Sequence, residues 1–458
     1  MKQLTLEQLF APGSDLQEPA VIYISENQSL QVEQVLRVMP GKRMVVQATV
    51  QGKNQLVKIF LKTRNFQQEL NHYQQLQKTG VKTPLLLSQQ TLDEGGICHY
   101  EFIENAHSFA ECWRTADEAT KTKLLDKLLP LLQGLYDGGL CQTDLHLENF
   151  IFSEGLLYAL DPAGCETLRD KQMMINNLAL LLAQFRLNEW PQVNAAIVAH
   201  FVDVEKTALH QQAIVQYKIR TKNFLRKIYR ECTYVHAWNI KKSFFQQLAI
   251  YCVRERCSHG MQSLLENIDV IPKDAETLKQ GNSSIVSSVV VDEKKIVVKN
   301  ARNKNIIRLL RRCFRRSRAS KSWYFSHLLQ NAGASVPAPI ALIERKLGPL
   351  VLESWYVSEC IEGDNLLDIW LYQEPSSPEL LAIKELFSVM RQLQISHGDM
   401  KATNFLVKDD KIFVIDYDGM LEHHSKRRFD LLFQKDKARF FRNWQNRAWL
   451  AELSAQII

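Results

Sequence analysis

One polar spacing occurs twice in this chain, 255 residues apart. In SHGDMKATNFLVKDDKIFVIDYDGM, Asn404 follows Asp399 by five residues, and Asp416 stands 12 residues further on, at the end of the apolar run Ile412 to Ile415. In LCQTDLHLENFIFSEGLLYALDPAG the same residue types stand at Asp144, Asn149 and Asp161, and each of the three offsets is 255. Three polar positions at one offset, in similar apolar settings, argue for an internal duplication. With 458 residues, of which 46% are hydrophobic and 23% charged, each copy has enough chain to bury its own core.

Each copy reads as a strand-loop-strand unit with charged residues in the turns. Phosphoryl transfer needs such a set: a carboxylate near the acceptor hydroxyl, then an asparagine and a second aspartate for Mg²⁺. Upstream, Lys58 lies in the strand Leu56 to Leu61, and Glu69 follows on a predicted helix, Phe66 to Gln77. A strand lysine held by a helix glutamate suits the phosphates of ATP. Lys299 in KKIVVKN takes the place of Lys58, but matching the helices through Gly80 and Gly333 sets Ser322 opposite Glu69. Lys299 is therefore expected to lack an obvious ion-pair partner.

The expected fold is α+β: two tandem bilobal protein-kinase-like domains, each with a small β-rich N-lobe and a helical C-lobe. Their expected bounds are residues 1–262 and 281–458, with a linker at 263–280. Asp170 to Gly260 reads as mostly helical and would build an acceptor pocket. Only 42 residues follow Asp416, so the second C-lobe is shorter. On this reading the first domain, with its complete set Lys58, Glu69, Asp144, Asn149 and Asp161, is catalytic. Pro40-Gly41-Lys42-Arg43 and Gly281-Asn282-Ser283-Ser284 are the turns placed to meet phosphate. The first has a single glycine and reads equally well as a plain hairpin turn.

The net charge of +7 favours an anionic partner: nucleotide, nucleic acid or phospholipid surface. Nine scattered cysteines without a C-x-x-C pair fit a reducing cytoplasm. The first residues, MKQLTLEQLFAPGSDLQ, show no signal peptide, and no run approaches the roughly 18 to 20 apolar residues that span a bilayer. Arg302 to Lys321 holds nine Lys or Arg and no acid, beside Trp323, Tyr324 and Phe325. That run reads equally well as a peripheral dock on anionic lipid and as a solvated helix face that only keeps the protein in solution. No aromatic platform or zinc motif accompanies it, so nucleic acid is not expected as a partner.

The phrases LRVMPGKRMVVQATVQG, RKIYRECT, LKQGNSS, RSRASKSW, HGDMKATNFLV and KARFFRNW together resemble the bacterial lipopolysaccharide-core kinases, which phosphorylate heptose or Kdo sugars. The likeness runs roughly from Val35 to Trp444. It implies an ATP- and Mg²⁺-dependent kinase of a sugar or glycolipid acceptor, working at the cytoplasmic face of the inner membrane of a Gram-negative bacterium. Carried over, Lys58 and Lys299 bind nucleotide phosphates, Asp144 and Asp399 align and deprotonate the hydroxyl, and Asn149 with Asp161, and Asn404 with Asp416, hold Mg²⁺. There are departures. Gln142-Thr143 precedes Asp144 where His397-Gly398 precedes Asp399, His146 stands where Lys401 stands in the second copy, and neither Asp161 nor Asp416 is followed by Phe-Gly. A protein kinase-like enzyme or a regulatory pseudokinase pair is the competing reading, although no activation segment ending in Ala-Pro-Glu is present.

Overall fold

The computed structural model describes residues 2–5, 20–25, 28–39, 41–243, 245–269, 275–280, 284–302, 316–444, 447 and 449–457. The chain forms two compact units. The first is Met1–Gln184 with Gln192–Ala213, and the second is Phe185–Pro191 with Ile214–Ile458.

The first unit is built on strands β1 (Lys2–Thr5), β2 (Ala20–Ser25), β3 (Gln28–Met39), β4 (Arg43–Val50), β5 (Lys53–Phe60), β6 (Leu86–Thr91) and β7 (Gly96–Glu101), in the spatial order 1-2-3-4-5-7-6. Successive side chains of a strand point to opposite faces, and β5 uses both. Val57 and Ile59 join one apolar cluster with Ile22, Val32, Met44, Val46 and Ile97. Phe60 joins the other with Phe66, Leu70, Tyr73, Cys98 and Tyr100. Three of these last residues lie on helix α1 (Thr63–Lys78), whose apolar positions Phe66, Leu70 and Tyr73 recur at helical spacing. Lys58 shares the Phe60 face, so alternation alone sends it towards α1.

Below this sheet come α2 (Phe109–Thr115), started by a Ser108/Glu111 capping box, and α3 (Glu118–Asp137), capped by Asp117. Two small sheets carry the polar loop. β8 (His107–Ser108), β10 (Phe150–Ser153) and β11 (Leu156–Ala159) form one, and β9 (Leu140–Gln142) with β12 (Cys165–Thr167) forms the other. Helices α4 (Lys171–Leu182) and α5 (Trp190–His200) follow, and α6 (Lys206–Lys227) runs on into the residues of the second unit.

The second unit repeats this plan with one change. Its strands are β13 (Val235–Lys241), β14 (Gln246–Val253), β15 (Glu276–Gln280), β16 (Ser284–Val291), β17 (Lys294–Arg302), β18 (Pro339–Leu347) and β19 (Leu350–Glu359), in the order 13-14-18-19-17-16-15. Five strands correspond one to one with β3, β4, β5, β7 and β6. The other two are added at opposite edges: β1 and β2 beyond β3 in the first unit, β13 and β14 beyond β18 in the second. Helix α7 (His259–Glu266) covers one face of the second sheet, where Met261, Leu264 and Leu265 meet Leu248, Ile250, Ile296, Val298 and Trp355. Helix α8 (Arg318–Ala332) packs against β17, β18 and β19. It is capped by Ser317 and ends at Gly333, whose φ of +94° favours glycine. Then come α9 (Leu366–Tyr372), α10 (Ser377–Leu393), the small sheets β20 (Asp364–Asn365) with β22 (Phe405–Lys408) and β23 (Lys411–Val414), and β21 (Ile395–Ser396) with β24 (Leu421–Glu422), followed by α11 (Lys426–Phe441) and α12 (Trp449–Gln456).

Several sequence expectations change. Asp170 to Gly260 is helical only as far as Lys227, after which β13 and β14 form a hairpin, and β14 pairs antiparallel with β18. The two compact units meet in sequence at Ala213 and Ile214, and residues 263–280 include part of α7 and the strand β15. Trp323, Tyr324 and Phe325 are buried in α8 and offer no aromatic face to a lipid surface. Residues 303–315 of the basic run, the expected turn Gly281-Asn282-Ser283, Pro40, and residues 6–10 of the helix expected from Thr5 to Phe10 lie outside the described residues.

Candidate active site

In the first unit Lys58 Nζ lies 2.5 Å from Glu69 Oε1 on α1, and the glutamate is fully buried. Tyr100 donates its hydroxyl to the same oxygen at 3.0 Å, and its ring lies 5.1 Å from the ammonium. The pair expected from sequence is therefore assembled. A residue read only as part of a turn joins it. Arg43, at the start of β4, donates from both terminal nitrogens to both oxygens of Asp161, at 3.0 and 2.8 Å. Arg43 also approaches Glu69 Oε2 at 3.6 Å, and Lys58 approaches Asp161 Oδ1 at 3.7 Å. Two cations and two carboxylates thus alternate. Burial disfavours the charged Asp161, but the hydrogen bonds from Arg43 and the charges of Lys58 and Arg43 outweigh it, and the carboxyl is held below its usual range.

The loop below is shaped by backbone bonds. Leu160 N–H donates to Asn149 O at 2.7 Å, which seats Asp161 beside the asparagine, and Asp161 is left-handed at φ +56°. Asn149 Nδ2 donates to Asp144 O at 2.9 Å. Asp144 itself is exposed, with His146 Nε2 2.9 Å from its Oδ1. Asn177 on α4 donates to Gln142 O at 2.5 Å and accepts from Tyr136 at 2.9 Å, tying the strand before the loop to two helices. A cavity of about 330 Å³ opens between sheet and loop, lined among others by Val45, Lys58, Tyr100, Asn149 and Asp161.

The second unit assembles Lys299, Asn404 and Asp416 by the same backbone route. Ile415 N–H donates to Asn404 O at 2.9 Å, Asn404 Nδ2 donates to Asp399 O at 2.8 Å, and Asp416 is left-handed at φ +64°. Lys299 has partners, contrary to the sequence expectation: Asp416 Oδ1 at 2.6 Å and Asp418 Oδ2 at 3.1 Å. Ser322, which stands where Glu69 stands in the first copy, donates to Asp418 Oδ1 at 3.2 Å. The acid that holds the lysine has moved from the helix to the residue two beyond the strand aspartate. Burial disfavours the charged lysine, yet the two aspartates outweigh it and raise its pKa. Burial likewise opposes the charge on Asp416, and Lys299 overcomes it and lowers that pKa.

Asp399 is half-exposed and receives Lys401 Nζ at 2.9 Å. The loop before it is anchored by a residue that no motif flagged. Asp436 on α11 accepts from His397 N at 2.6 Å and from Gly398 N at 2.9 Å. Gly398 has φ +82°, and a Cβ there would lie 2.8 Å from Gly419 O, so this turn admits no side chain without displacement. Asp418, Asp436, Arg43 and Asn177 are the residues the sequence reading missed. Asp418 lay within the quoted motif, but Asp436 and Asn177 fall 259 residues apart, off the common offset, and carried no signal.

With the geometry in place, comparison adds one finding. Residues 271–450 match the model of the Lipopolysaccharide kinase (Kdo/WaaP) family. A search of curated proteins finds no match to the chain.

Proposed function

We propose, from the match of residues 271–450 to the model of the lipopolysaccharide kinase (Kdo/WaaP) family, that the second unit transfers a phosphoryl group from ATP to a sugar hydroxyl of the lipopolysaccharide core, heptose or Kdo. Both units are then bilobal kinase-like domains, with the seven-stranded sheet and its helix as one lobe and the small sheets and remaining helices as the other. The observation that carries this reading is the assembly of Lys299, Asn404 and Asp416 beside Asp399, inside the matched segment. On this reading the catalytic role lies in the second unit rather than in the first, where the sequence suggested it.

Asp399 takes the position from which a carboxylate orients the acceptor hydroxyl and accepts its proton. Lys401, 2.9 Å from Asp399, adds positive charge where the phosphoryl group passes. Lys299 contacts the nucleotide phosphates, and Asp436 fixes the backbone that carries Asp399. Asn404 and Asp416 offer the hard oxygen donors that Mg²⁺ prefers. Among the described residues no cluster of three His, Cys, Asp or Glu forms a metal site. That is compatible with a magnesium held by one or two protein groups and by substrate phosphates. When bound, the ion neutralises charge on the transferring group. The donor set of the first unit does not fit a metal in the same way, because both oxygens of Asp161 already accept from Arg43.

The acceptor is a sugar or glycolipid, and a glycolipid acceptor would have the enzyme work at the cytoplasmic face of the inner membrane. Among the described residues no helix is long and apolar enough to cross a membrane. A non-catalytic first unit is the second reading that the Arg43–Asp161 contact favours. Phosphate transfer from labelled ATP to purified core lipopolysaccharide tests both. Asp399→Asn is expected to lower transfer by at least about 100-fold, the scale for losing a positioned base, while Asp144→Asn retains most of it. Full transfer in Asp399→Asn with loss in Asp144→Asn returns the role to the first unit.

A further inference from the structure

The cavity of the first unit is lined both by apolar side chains, among them Leu36, Val45 and Leu160, and by the cations Arg37, Arg43 and Lys58, with Asp161 and Glu148 the acids beside them. A flat apolar group attached to a chain of phosphates matches that pairing. The group that usually bridges such phosphates to the protein would have to reach Asp161, and there Arg43 already forms two parallel hydrogen bonds. Fork-to-carboxylate contacts of this kind are among the strongest that side chains make, and this one is largely buried, with 12% of the Arg43 side chain and 20% of Asp161 exposed. The second unit supplies an internal control. Lys58 pairs across the hairpin with Val45, and Lys299 with Val286. Counting back two residues, the position of Arg43 is held in the second unit by Ser284, and the arginine is absent.

We propose that the first unit is a metal-independent nucleoside triphosphate site, in which the Arg43 guanidinium occupies the place on Asp161 that a divalent cation takes in the second unit. The proposal rests on the kinase-like reading of both units. Arg43 and Lys58 then offer two fixed positive charges to the phosphates, while Asp161 and Glu69 hold those cations in position. With its metal-bearing carboxylate engaged, the first unit binds nucleotide and does not transfer phosphate.

The test is titration of a fluorescent ATP analogue into the full-length protein carrying Lys299→Ala and Asp416→Asn, so that the second site is disabled. Binding is measured in EDTA and in excess Mg²⁺. The expected result is saturable binding in EDTA, changed by less than about twofold on adding Mg²⁺, and weakened about tenfold or more when Arg43→Ser is added, as for a lost charge-assisted contact. Arg43→Lys, which keeps charge but not the fork, should fall between them, and circular dichroism with thermal melting shows whether each variant is folded. Folded Arg43→Lys protein that binds like the parent in EDTA overturns the proposal even if Arg43→Ser fails to fold. Binding that requires Mg²⁺, metal-free binding indifferent to Arg43→Ser, or no binding in either condition also overturns it. Transfer by the protein with both sites intact is read separately through Asp399→Asn, so failure here leaves the second unit's assignment standing.

Discussion

His397 and His327 are two imidazoles shut away from the protein surface. Both are almost completely buried in the second unit, and burial pushes their pKa values down to about 4 and about 3. An unfolded histidine takes up a proton near pH 6.5, whereas these two stay neutral well below that. Between pH 6.5 and 4 the unfolded state therefore binds more protons, and stability falls as pH falls. The loss levels off below about pH 4 for His397 and pH 3 for His327. Asp161 and Asp416, whose folded pKa values lie below the ordinary carboxylate value, add to the loss only as pH drops below about 4, through those folded pKa values. Urea unfolding at pH 7.5 and pH 5 should show a loss on the order of 1–2 kcal/mol per buried histidine. An unchanged midpoint would mean that the two rings are not held neutral. At this scale, Asn149, Asp161 and their counterparts were legible through a fixed offset and a chemical type, and Lys58 and Lys299 through their place in an apolar strand. Arg43, Asp418 and Asp436 were not, because each acts on partners 26 or more positions away, which spacing does not mark. Lys299 could not be partnered on paper once Ser322 replaced Glu69, since the compensating acid arose on a different element.

The hairpin of β13 and β14 decides where one unit stops and the next starts. Its strands read VHAWNIK and QQLAIYCV, and both follow a long helical pattern. Nothing in their own alternation says that their partner is β18, almost 90 residues further on. Pairing between distant strands depends on tertiary packing rather than on local preference, which is why the hairpin was read as helix while β5, β17 and α1 were found. The packing makes the assignment testable. Ile250 is fully buried in β14 within the cluster that α7 covers, and Ile250→Ala should cost about 2–5 kcal/mol. The damage should appear as faster amide exchange in β14, β18 and β19, with strands β1 to β7 unchanged. Faster exchange confined to the first sheet would assign the hairpin to the other unit.

At the scale of the whole molecule, the duplication was the most legible feature. The loop offsets of 255 residues reappear as two matched pairs of small sheets, and five strands of each large sheet follow one order. What the offset could not show is that each copy enlarges its sheet at a different edge. In the first unit that choice leaves β6 as the last strand of its sheet, with Leu87 half exposed on it and Leu85 exposed just before it. A terminal strand with apolar side chains is a template for strand addition by another molecule. β15, which corresponds to β3 and stays terminal in the second sheet, sets Glu276 and Lys279 around its exposed Leu278, and charge on an edge discourages such pairing. The consequence is colloidal rather than catalytic. Concentrated protein should begin to scatter light on heating before either large sheet melts, through the first unit's edge. Leu87→Lys should raise the onset temperature of scattering by several degrees while leaving the melting temperature within about 2 °C, as surface substitutions do. Equal onset temperatures for the parent and the variant would place the sticky surface elsewhere.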